Sequence, residues 1–122
     1  LFSNAIPSDT LKFKIGINYL GSKDLVVDIL LYNITDSELL EWFYIKDMVS
    51  VYNDLNDLES SSDFQNKSLE ELRDSNKNVM LFNDLTLEVN SNKHIEFSLV
   101  FNENSEVQNK ILEIKAIRVA GK

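Results

Sequence analysis

Cysteine is absent from this chain, proline occurs once and glycine three times. Without cysteine there are no disulfides, no thiolate zinc sites and no thiol catalysis. So little Pro and Gly excludes a collagen-like rod and a Gly-rich repeat array. The only histidine is His94, which leaves a zinc ion short of nitrogen ligands. Its context, His94-Ile95-Glu96, is not the His-Glu-x-x-His of zinc peptidases. Positive charge is scarce as well: 12 basic against 20 acidic residues, a net charge of −8. A protein that grips DNA or RNA needs a cationic footprint, so no nucleic-acid partner is expected. An anionic membrane surface repels such a chain, and no apolar run approaches the roughly 20 residues that span a bilayer.

What is present points to a folded β protein. Apolar residues make up 43% of 122 residues, enough for one domain with a real core, residues 1–122. The chain starts at Leu1 without an initiator Met or a signal-peptide pattern, as a mature or trimmed form would. Strict alternation dominates. In "TLKFKIGIN" Leu11, Phe13, Ile15 and Ile17 point one way and Lys12, Lys14 and Gly16 the other, a half-buried strand. In "LVVDILLY" both faces are largely apolar, which suits a central strand or one covered on its second face. Ile95, Phe97, Leu99 and Phe101 form the cleanest inward stripe.

The middle of the chain carries two capping boxes, Thr35-Asp36-Ser37-Glu38 and Ser68-Leu69-Glu70-Glu71. They predict short helices through about Phe43 and Ser75. A strand is expected near residues 44–52, then a polar loop over "NDLNDLESSSD". Asn83-Asp84 reads as a turn between two strands, and "SNKH" as another. In the last strand Leu112 and Ile114 are out of phase with Ile117 and Val119, as a β-bulge near Ala116 would produce. About seven strands with two small helical insertions predict an antiparallel, jelly-roll-like β-sandwich.

Chemistry is hard to assemble from these residues. Ser91 and Ser98 lie near His94 in sequence, but no nucleophile elbow surrounds them. Residues 51–75 hold seven acids against Lys67 and Arg73. Asp54, Asp57, Glu59 and Asp63 lack the spacing of a calcium loop, and a solvated flank is the simpler reading. Trp42, Phe43, Tyr44 and Tyr52 suggest core packing first and a sugar-binding platform second. No enzyme, cofactor or metal is therefore expected. The apolar start, "LFSNAIP", can lie across its own domain or add a strand to a neighbour's sheet.

Two stretches carry a resemblance. "IPSDTLKFKIGINYLGSKDLVVDILL" is similar to a segment of the TasA/camelysin family in which a Pro-Gly-Asp turn leads into a strand, a Gly-Ser turn and the next strand. Pro7, Asp9, Gly21 and Ser22 match, and Ser8 stands where Gly is usual. "SLVFNENSEVQNKILEIKAIRVAG" resembles that family's last two strands, with Phe101, Gln108 and Asn109 matching. The two stretches cover about forty percent of the chain, at its two ends. The resemblance implies a secreted, extracellular-matrix or cell-surface jelly roll that polymerises into biofilm fibres by donating an N-terminal strand to the next subunit. The expected partners are then further copies of the chain, with an accessory matrix protein as a second candidate. Residues 1–7 become the donor arm, with Leu1, Phe2 and Ile6 as its apolar anchors. Gln108 and Asn109 read as a turn device whose side-chain amides satisfy backbone groups. The alternative is a monomeric extracellular binding module for a polysaccharide. Some family members carry a metallopeptidase label, but no motif here supports that activity.

Overall fold

The structure, a computed structural model of the chain, describes residues 2–3, 10–36, 38–101, 111–112 and 114–122. Two of the alternating segments pair over their whole length. Strand β2 (Thr10–Asn18) runs antiparallel to β8 (Asn92–Phe101), from Thr10 opposite Val100 to Asn18 opposite Asn92, without a register shift. The period-two pattern places Leu11, Phe13, Ile15 and Ile17 beside the buried stripe Ile95, Phe97, Leu99 and Phe101. Phe13 stacks on its partner Phe97 with ring centroids 4.9 Å apart.

On its other side β8 is flanked by β4 (Phe43–Ile45) and β5 (Met48–Tyr52) in succession. They act as one strand interrupted at Asp47, whose φ of 52° breaks the ladder. Lys46 N–H still donates to the Ser98 carbonyl across the break. Strand β6 (Leu58–Asp63) then pairs with β5, so the larger sheet runs β2-β8-β5-β6. The smaller sheet has the order β10-β3-β7, from β3 (Leu25–Ile34), β7 (Val79–Leu87) and β10 (Ile114–Gly121). The doubly apolar β3 is its centre. A two-residue ladder joins β1 (Phe2–Ser3) to β9 (Ile111–Leu112). The inner faces of the two sheets enclose one core that includes Val27, Ile29, Leu31, Val49, Leu81, Ile95 and Leu99. The architecture is thus an all-β antiparallel sandwich.

Four local expectations need correction. The polar stretch "LESSSD" is a strand, because a sheet edge accepts serines on both faces when backbone pairing to β5 replaces side-chain burial. Asn83-Asp84 does not end a strand: β7 continues through it as a bulge, with Asp84 at φ 58° and its N–H donating to Asp28 Oδ1 at 3.0 Å. The turn before β8 falls at Val89–Asn90, so Asn92, Lys93 and His94 belong to the strand. In β10 the phase slips as expected, with Ile114 buried and Ile117 half-buried. Yet its register with β3 is unbroken, from Ile114 opposite Ile34 to Gly121 opposite Val27. No residue is inserted. Asn33, at φ 54°, flips the facing strand by the same step, so both strands change phase together.

Both helical insertions are shorter than the capping boxes suggest. The first is a 3₁₀ turn over Glu38–Glu41, and Phe43 already opens β4; Ser37 lies outside the described residues. The second, α1 (Leu69–Leu72), ends well before Ser75. Its box is complete: Ser68 Oγ accepts from Glu71 N–H at 3.2 Å, and Ser68 N–H donates to Glu71 Oε1 at 3.4 Å.

Candidate assembly site

One flank of the sandwich is less closed than the rest. The larger sheet is four strands wide along its path and the smaller is three. Strand β6 lies beside β7, so the overhang falls at the opposite flank, where β2 and β10 are the outermost strands. The inward residues there are only partly covered. Leu11, Phe13, Ile15 and Ile17 on β2 and Ile117 on β10 are half-buried, and Val119 is 43% exposed. The central strands contrast with this, since Val27, Val49 and Ile95 expose nothing. Among the described residues no strand borders the outer side of β2 or of β10.

The sequence-derived arm starts at the mouth of this flank. Phe2 lies opposite Leu112 and Ser3 opposite Ile111, just ahead of β10. Leu1 and Ile6 lie outside the described residues, as do Gln108 and Asn109. The arm's first segment therefore pairs with its own chain in the monomer.

The opposite end carries a feature that the motifs did not reveal. Lys93 occupies an inward position of β8, in phase with Ile95 and Phe97, and is 4% exposed. Its Nζ donates to both carboxylate oxygens of Glu59 on β6 at 2.7 Å and lies 2.9 Å from Glu88 Oε2, just beyond β7. It thereby ties the larger sheet to the smaller one. Burial opposes its charge, but hydrogen bonding to Glu59 and Glu88 outweighs burial, and its pKa lies above the ordinary lysine value. The same hydrogen bond from Lys93 holds Glu88 below the ordinary glutamate value. The sequence signal was a lysine in phase with an apolar stripe, which reading "SNKH" as a turn concealed.

These shifts set the sign of the pH dependence. The lowered Glu88 pKa contributes stability above the ordinary glutamate range that is lost as pH falls through the folded-state value. The raised Lys93 pKa contributes stability below the ordinary lysine value that is lost as pH climbs through the folded-state value. Lys93→Met leaves two carboxylates facing each other, both with access to water. A loss of about 1–3 kcal/mol at neutral pH is expected in urea denaturation, shrinking as Glu88 protonates in acid. An unchanged midpoint would remove the inter-sheet role.

Other candidate residues are dispersed. His94 sits on β8, not in a turn; its ring stacks on Tyr52 at 4.8 Å and its Nε2 faces Glu96 at 3.4 Å. The aromatic platform does not assemble, because Phe43 is buried against Phe101 at 4.8 Å while Tyr52 lies beside His94. Trp42 packs on the core, and its Nε1 is buried without a hydrogen-bond partner. The acidic stretch is divided too: Glu59 turns to Lys93, and Asp63 Oδ1 accepts from Gln65 N–H at 2.8 Å. Among the described residues no three carboxylate or imidazole groups gather to hold a metal ion. Comparison of the chain with protein-family models, with curated proteins and with solved structures finds no match.

Proposed function

We propose that the chain is a secreted structural subunit of extracellular matrix fibres, polymerising by strand complementation between copies. The observation that carries this reading is the flank between β2 and β10, where two sheet edges and a row of half-buried apolar residues stand together. A strand added there gains main-chain hydrogen bonds along an edge and covers the apolar row with alternate side chains. Each large apolar side chain buried in such a groove contributes roughly 1.5–3 kcal/mol. The N-terminal segment is the donor, with Leu1, Phe2 and Ile6 as its apolar anchors. Phe2 already pairs with Leu112 within one chain. Made between chains, the same pairing is a strand exchange that needs no new type of contact. Further copies of the chain are the principal partner, and the role is structural, not catalytic.

Deletion of residues 1–7 tests the donor assignment. Polymers are expected to disappear in a sedimentation assay while far-ultraviolet circular dichroism still reports a folded β protein. The sandwich is expected to survive because, among the described residues, its buried core runs from Val27 to Ile114. Undiminished polymer would overturn the donor assignment.

A further inference from the structure

The larger sheet ends in two strands whose chemistry is opposite. At one end β2 presents Lys12 and Lys14, both exposed on the outer face. At the other end β6 presents Ser61 and Asp63, exposed on the same face. The hydrogen-bond phase fixes which backbone groups point away from each sheet. Tyr19 N–H donates to Ser91 O, so the odd-numbered residues of β2 bond to β8 and Thr10, Lys12, Lys14, Gly16 and Asn18 aim outward. Phe64 N–H donates to Asp47 O, which by the same alternation turns Ser61 and Asp63 outward on β6. Each lysine or acid on an edge therefore sits at a position whose backbone is offered to a partner.

Strand direction supplies the second half of the argument. Along β2-β8-β5-β6 every neighbour is antiparallel, so β6 runs opposite to β2. A second copy, carried across without being turned over, brings its β6 antiparallel to the first copy's β2. Its outer face stays on the same side, which places Asp63 across from Lys12 or Lys14. We infer that these two edges dock on one another between copies, β2 of one against β6 of the next, and continue the larger sheet from molecule to molecule.

Lysines on an edge strand usually guard it against self-pairing. Here they repel a second β2 but match an acidic edge, so the same charges that block one pairing select the other. The contact is heterologous and does not close on itself. With each strand rotated by about 20–25°, it propagates as a screw. A single edge buries little surface, so one contact is weak; repeated along fibres it ties neighbours laterally through avidity. The net charge of −8 opposes association over long distance. Near 0.15 M salt that repulsion is screened beyond about 8 Å, whereas paired side chains in contact are not.

The test uses two full-length variants and their mixture. K12E/K14E has two acidic edges, and S61K/D63K has two basic ones. Sedimentation velocity at about 0.15 M salt is expected to show self-association of the wild type, weakened about tenfold or more in each variant alone. Mixing the two in equal amounts restores it, because each acidic edge then meets a basic one. Restoration also shows that both variants are folded. A monomeric wild type, variants that associate as the wild type does, or a mixture that stays monomeric would each overturn the inference. Both variants keep residues 1–7, so a wild type that associates without this charge dependence leaves the donor-strand reading standing, whereas a monomeric wild type overturns both.

Discussion

A mixture of two singly substituted chains, Phe2→Cys and Leu112→Cys, should form disulfide-linked dimers under mild oxidation. The chain has no cysteine of its own, so every cross-link reports the introduced pair. Phe2 and Leu112 are direct partners in the β1–β9 ladder. Antiparallel partners have Cα atoms about 4.5–5.5 Å apart, within the span that a disulfide bridges. Neither variant can make that link within one molecule. Strong cross-linking in the mixture, well above that of either variant alone, therefore measures pairing between chains. Cross-linking only in a doubly substituted chain, and only as a monomer, would confine the arm to its own sandwich. The expected contrast is close to all-or-none.

Phe43→Ala is expected to be the most damaging of the single core changes considered, costing about 3–5 kcal/mol. Phe43 is 1% exposed, stacks on Phe101 and faces it directly in the β4–β8 ladder. Truncation removes the ring's burial, the aromatic pair and the filling of the core where the 3₁₀ turn enters the sheet. Against a total stability of about 5–15 kcal/mol, that loss brings the fold near its limit. Urea denaturation with circular dichroism detection gives the value. A loss under about 1 kcal/mol would mean that the site collapses around the smaller side chain and that the β4 segment contributes little.

The two faces of these results differ in how far the sequence foretold them. Strands β2 and β8 announce themselves because one face is greasy and the other is not, β3 because both faces are largely apolar, and the completed Ser68 capping box starts α1 where it predicts. Strand β6 hides because Ser60, Ser61 and Ser62 put no contrast between its faces; only pairing with β5 makes it a strand. The bulge at Asp84 hides for another reason. Asn-Asp favours a left-handed residue, which both a turn and a bulge need, and the choice is made 56 residues away by the Asp28 carboxylate. Lys93 was legible in phase but not in meaning, since its partners are Glu59 on β6 and Glu88 just past β7. The open flank could not be read at all: it arises from the unequal widths of two sheets, a property of the topology and not of any segment.

Copies of this chain are expected to complete one another. Negative-stain electron microscopy of the full-length protein, followed over time at rising concentration, tests it most directly. Regular fibres of one width, growing in number with concentration, are the result the account requires. Isolated particles of monomer size at every concentration and time would contradict it.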